Sequence, residues 1–276
     1  SSTIVLYMKL LLLSFCLLGI LKADEYHLYL LAGQSNMDGR GKSADLTKEQ
    51  RRPSKHAIIF YRNPPHSSEG WKPLTPGYSI APGYKGKLPS PTFGPEIGFI
   101  AAMHKAAPDQ KFALIKGSKG GSSLRQDWKP GTKDDPKSQG PRYRHFIETI
   151  KMANADLIKN GHTAKLKGVL WHQGESDSRA GTEAHRERLT QFIARLREDT
   201  GEAQLPFVIG EVFDNGARDK IRAALLKVSQ TTPHCAFAPA DQLTTWDPGT
   251  HFDARSQLIL GERFATALQK VPSAAK

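Results

Sequence analysis

Short apolar runs of strand composition alternate along this chain with longer amphipathic segments, and that alternation limits the folds open to it. Residues 28–32, 57–61, 112–115, 168–171 and 207–210 read as strands. Residues 95–107, 144–159, 183–199, 217–229 and 254–270 read as helices. Ile97, Ile100, Ala101 and His104 share one face of the first helix, and Ile147, Ile150, Ala153 and Leu157 one face of the second. Asp253 stands where it can N-cap the last. Alternating strands and helices build parallel βαβ units, and strands apolar throughout need cover on both faces. The expected fold is α/β, one three-layer domain over 24–276 around a mainly parallel sheet.

The chain has 276 residues, 38% hydrophobic and 24% charged, which excludes disordered and fibrous classes. Residues 10–21 form an apolar run after Lys9 and before Lys22-Ala23. A basic start, a short apolar stretch and a small residue describe a signal peptide at 1–23, with Met8 as initiator. The run is shorter than the roughly 20 residues of a membrane span. The expectation is a secreted or periplasmic protein without stable membrane association after cleavage. Only Cys235 then remains, so no internal disulfide can form, and it reads as a buried apolar residue. The Pro-rich stretch 62–95 breaks the alternation and reads as a long loop. Its Trp71, Tyr78, Tyr84 and Phe93 suit either sugar stacking or packing against the domain.

The formal charge of +12 favours anionic surfaces. No nucleic-acid partner is expected, because Arg186, Arg188, Arg195 and Arg197 mix with Glu183, Glu187 and Glu198 as on a solvated helix face. Gly41-Lys42-Ser43 lacks the upstream glycine of a phosphate-binding loop, where Asn36 stands instead. The ten histidines show no His-Glu-x-x-His pattern, so neither cofactor nor metal is expected.

Ligands of open parallel sheets bind beyond the carboxyl ends of the strands. Polar segments stand there: Gly33-Gln34-Ser35-Asn36-Met37, Gly120-Gly121 and His172-Gln173-Gly174-Glu175-Ser176-Asp177, with Asp247…His251-Phe252-Asp253 near the C-terminus. Singly, each reads as ordinary turn, loop or cap chemistry. Together they supply acyl transfer. A serine needs a base to take its proton, and a carboxylate fixes the histidine tautomer. Ser35, His251 and Asp247 are the candidates for these roles. The amides of Ser35, Gly120 or Gly121 and the Gln173 side chain are candidate oxyanion donors. Gln34, Asn36 and Glu175 would organise the site, and Arg125 and Trp128 are candidate sugar contacts.

These motifs, spread from residue 33 to 253, resemble the SGNH hydrolase superfamily. Within it they are most similar to the sialic acid-specific acetylesterase and acetylxylan esterase group, carbohydrate esterase family 6. The resemblance implies a flavodoxin-like α/β/α sandwich and a metal-free serine esterase acting on acetylated carbohydrate, acetylxylan or a related polysaccharide before O-acetylated sialic acid. It makes Ser35 the nucleophile and His251 the base, with Gln173 where relatives place an oxyanion asparagine. The family spaces acid and histidine by two residues, whereas three separate Asp247 from His251. That departure leaves open a dyad, or support from Asp253 or Glu175. A non-catalytic carbohydrate-binding protein and a general lipid or aryl esterase are the alternatives on the same fold.

Overall fold

The computed structural model describes residues 23–81 and 90–272. Residues 1–22 of the expected signal peptide and Tyr84 lie outside them. Strand β1 (Glu25–Gly33) runs into a one-turn helix α1 (Ser35–Asp38). Then come β2 (Gly41–Lys42), β3 (Ala57–Asn63), β4 (His66–Ser67), β5 (Lys72–Pro73), β6 (Ser79–Ala81), β7 (Ser90–Phe93) and α2 (Glu96–Ala106). The second half comprises β8 (Lys111–Ser118), α3 (Pro141–Lys159), β9 (Thr163–His172), α4 (Thr182–Thr200), β10 (Phe207–Gly210), α5 (Asp219–Thr231), β11 (Cys235–Ala238) and α6 (Ala254–Lys270).

The central sheet is ordered β11–β10–β9–β1–β8–β3, and all five of these pairings are parallel. Strands β4 and β5 add antiparallel edges to β3, and β2, β7 and β6 form a separate antiparallel sheet. Without β3, the order β8–β1–β9–β10–β11 is that of flavodoxin-like folds, whose chain reverses direction beside the first strand. Here the reversal lies between β1 and β9, and the site opens there.

The pleat of β1 divides two cores. Leu28, Leu30 and Ala32 face α3, α4 and α5, while Tyr29 and Leu31 face α2 and α6. This is the expected three-layer sandwich. Helix α6 carries the expected cap, with Asp253 Oδ1 accepting from the Ser256 amide at 2.8 Å, worth about 1 kcal/mol. Helix α2 corrects its expected face. Gly98, Phe99, Ile100 and Met103 are buried, Ala101 is exposed and Ile97 and His104 are half-buried. The cause is its crossing with α6, where Gly98 lies against the Leu258 carbonyl and Gly261 against the Phe99 amide, too close for any side chain. Two glycines, neutral in an apolar count, turn the helix.

The stretch 62–95 is not one loop, since four short strands, β4 to β7, cross or end in it. Trp71 packs edge-on against Phe60 and donates to the Ala153 carbonyl at 2.9 Å, and Phe93 is buried, so both are packing residues. Strand β11 went unread because Cys235–Ala238 is short and only half-buried at the sheet edge. Burial pushes the Cys235 thiol up to about 11, which leaves it an unreactive packing residue.

Candidate active site

Strand β1 ends at Gly33, which faces the His172 carbonyl of β9 so closely that only a glycine fits. The Gln34 amide donates to that carbonyl at 2.9 Å, and the chain then turns into α1, placing Ser35 at the rim. The last polar segment reaches the same rim through a turn at Pro248-Gly249, Gly249 adopting φ +73°. In that turn Asp247 Oδ1 accepts from the amides of Thr250 at 3.0 Å and His251 at 2.8 Å. Its other oxygen accepts from His251 Nδ1 at 2.5 Å. The spacing of three residues therefore closes into a compact ring.

A carboxylate on Nδ1 requires the proton there, so Nε2 carries the lone pair. Ser35 Oγ lies 3.1 Å from Nε2 and can donate to it. Burial pushes the Asp247 carboxyl up, but its hydrogen bonds from the His251 amide and ring and the Thr250 amide outweigh that, and its pKa lies below the ordinary carboxylate value. Asp253 is occupied as the α6 cap, and Glu175 Oε1 accepts from Asn36 Nδ2 at 2.7 Å. Asp247 is the carboxylate on His251.

Gly120 and Gly121 line the cleft beside Ser35. A Cβ on Gly120 would lie 3.5 Å from that of Ser35 and 2.8 Å from Arg40 Nη2. The absence of a side chain lets the backbone approach the serine. Gly121 adopts φ +75°, a conformation that favours glycine.

Asn36 joins the two ends of the chain at this rim. Its Nδ2 donates to the Thr250 carbonyl at 2.9 Å and its Oδ1 accepts from the Phe252 amide at 3.1 Å, so it grips both neighbours of His251. Glu175 orients that amide. Gln34 Oε1 accepts from the Ser176 amide at 3.1 Å, tying the β1 end to the β9 end. These three side chains tie the β1 end to the β9 end and to the segment that carries His251.

Residues 25–270 match the family described as carbohydrate esterase, sialic acid-specific acetylesterase. The chain belongs to that family. It is accordingly a carboxylic ester hydrolase acting on carbohydrate acetyl esters. A probable carbohydrate esterase of Arabidopsis thaliana is 25% identical over 256 residues, covering 87% of this chain and 89% of the relative. A solved Arabidopsis thaliana structure superimposes with a TM-score of 0.68 at 20% identity, covering 90% of this chain and 98% of the other. NanS gives 0.66 at 18%, covering 91% and 98%. A carbohydrate acetylesterase from Xanthomonas citri gives 0.62 at 19%, covering 89% of this chain and 56% of that one. These likenesses share the α/β fold described above.

Three expected contacts fall elsewhere in the esterase. Gln173 is fully buried, and its Nε2 donates to Asp177 Oδ2 at 2.6 Å and to Gln34 Oε1 and the Ser122 carbonyl at 3.3 Å. An amide nitrogen has two hydrogens, so nothing is left for an oxyanion. Trp128 is equally buried, packed edge-on against Phe146, Trp171 and Phe192, with Nε1 donating to Ser122 Oγ at 2.8 Å. It is a core residue and no sugar contact. Arg125 is exposed outside the cleft lining, with its amide 3.4 Å from Asp177 Oδ1.

The cleft encloses about 700 Å³, within the usual range for a small-molecule site. Ser35 and His251 form part of its lining, and Asn63, Pro65, His66 and Ile80 of the former loop region form another part. Three cations also line it. Arg40 is held by Asp38 at 2.8 Å, and Arg218 donates to Thr250 Oγ1 at 3.1 Å and to the Gly249 carbonyl at 2.8 Å. Lys119 has no carboxylate partner among the described residues. The reading of single motifs missed Arg40, although it stands five residues after the nucleophile candidate. It also missed Asp177, which collects Gln173 and the Leu124 amide on one carboxylate.

Proposed function

We propose that this esterase removes O-acetyl groups from carbohydrate by a Ser–His–Asp mechanism, acetylxylan or a related polysaccharide being its preferred substrate. The observation that carries the reading is the continuous relay from Ser35 Oγ through His251 to Asp247. Ser35 Oγ attacks the acetyl carbonyl carbon while His251 Nε2 takes the hydroxyl proton. The amides of Ser35 and Gly120 hold the oxyanion. As the C–O bond to the sugar breaks, His251 returns the proton to the sugar oxygen. Water, deprotonated by His251, then attacks the acetyl-serine and releases acetate.

The motifs support placement in carbohydrate esterase family 6, and residues 1–23 support export. A second reading, O-acetylated sialic acid, is favoured by Arg40, Lys119 and Arg218, which could meet a sugar carboxylate. Acetate release is to be measured from acetylated xylan, O-acetylated sialic acid and an aryl acetate, with wild type and Ser35→Ala. Release from xylan above sialic acid, abolished in the variant, is expected. The reverse order moves the assignment to the acidic sugar, and cleavage of aryl acetate alone removes the glycan assignment.

A further inference from the structure

Trp246 is the residue before the catalytic acid, and it is 47% exposed. The other large apolar side chains left in solvent among the described residues are Met152 and Ile158 on α3 and Leu226 on α5. Water normally drives an indole inward, so one left half in solvent beside a reactive site calls for a reason.

Its placement is fixed rather than incidental. The Trp246 amide donates to the His251 carbonyl at 3.0 Å, and Thr245 pairs antiparallel with Phe252. The backbone of the catalytic turn thus presents the indole. Its ring plane lies 15° from that of His251, with centroids 5.7 Å apart. The indole therefore lies parallel to the imidazole in an offset stack, outside the cleft lining. The cleft holds Ser35 and His251, and the half-exposed indole stands next to it.

We infer that Trp246 is the platform of a second sugar subsite, stacking the residue that neighbours the acetylated one. The inference rests on the carbohydrate reading above. A pyranose ring presents C–H bonds on its faces and hydroxyls around its rim. The negative face of an indole meets such a C–H face and leaves the hydroxyls in water. Trp246 stands outside the cleft lining, so the sugar it meets is a neighbour of the one whose ester reaches Ser35, and only a chain of at least two can use it.

The test compares oligomer with monomer. Acetylated xylose and acetylated xylotetraose form one pair of probes, and O-acetylated sialic acid with its lactose conjugate forms another, with aryl acetate as a reference. In the pair that wild type cleaves, kcat/KM should favour the oligomer, mainly through KM. Trp246→Ala should lower that oligomer-to-monomer ratio about tenfold, the scale of one lost stacking contact. Trp246→Phe should restore part of it.

A buttress for His251 alone would lower monomer, oligomer and aryl acetate turnover together and leave the ratio unchanged, which overturns the inference. Cleavage of aryl acetate with no glycan cleaved overturns the carbohydrate reading itself, and the subsite with it. Titration of xylotetraose into Ser35→Ala provides a check without turnover. Tighter binding than in Ser35→Ala/Trp246→Ala supports the subsite, and equal binding in an esterase that cleaves xylan contradicts it.

Discussion

Strands β1 and β9 lie side by side, and each ends in a polar motif, Gln34-Ser35-Asn36 on one and Gln173-Gly174-Glu175 on the other. Ser35 and Gln173 are both buried, so burial does not tell them apart. Hydrogen-bond saturation does. Ser35 Oγ meets His251 and otherwise faces the cleft. Gln173 Nε2 has spent both hydrogens on neighbouring oxygens. A reactive group keeps an unused valence towards the substrate, while a positioning group uses its own up.

Substitutions can break this division. Ser35→Ala should remove the reactive atom and lower kcat by about 10⁴-fold or more, with the melting temperature nearly unchanged. Asp247→Asn should cost about 10³- to 10⁴-fold in kcat, because it no longer holds the proton on Nδ1. Folding thermodynamics gives a second measurement of the same residue. The Asp247 pKa is lowered in the fold, so its stabilising effect is complete above the ordinary carboxylate pKa and disappears as pH falls through the folded value. The stability gap between wild type and Asp247→Asn should accordingly close in acid, as followed by urea unfolding at several pH values.

Gln173→Leu should sharpen the comparison from the other side. It leaves Asp177 short of a donor and should cost about 1–3 kcal/mol of stability, seen in urea unfolding, with less than a tenfold loss in kcat. A loss of about 100- to 1000-fold in kcat at unchanged stability would instead mark Gln173 as an oxyanion donor.

The smallest effect concerns a buried histidine behind the same motif. Burial lowers the His185 pKa from 6.5 to about 4. The unfolded chain therefore takes up a proton before the folded one, and stability falls as pH drops from 6.5 towards 4. His185→Leu should flatten that slope in thermal melts, and an unchanged slope would assign it to other groups, such as fully buried His172, whose pKa burial also lowers.

Much of this architecture was legible in the sequence, because strand apolarity and helix periodicity report burial directly. The four polar segments were legible as a set, since parallel strands bring their carboxyl ends to one rim. Asp247 was visible in spite of its spacing, although only the Gly249 turn shows how three intervening residues still close the ring. Trp128 and Gln173 were misread for a common reason. Sequence reports that a residue can bond or stack, but Trp128 packs inward, edge-on against Phe146 and Trp171, and Gln173 bonds sideways to Asp177. The face of α2 was hidden because Gly98 and Gly261 act by what they lack.

The grip of Asn36 on Thr250 and Phe252 spans more than two hundred residues of chain. During synthesis Ser35 therefore emerges long before His251, its hydrogen-bond partner. On the proposed mechanism, Ser35 has no base until His251 has been made and Asn36 holds its two neighbours. A chain cut before residue 251 then has no base for Ser35 and should cleave no ester.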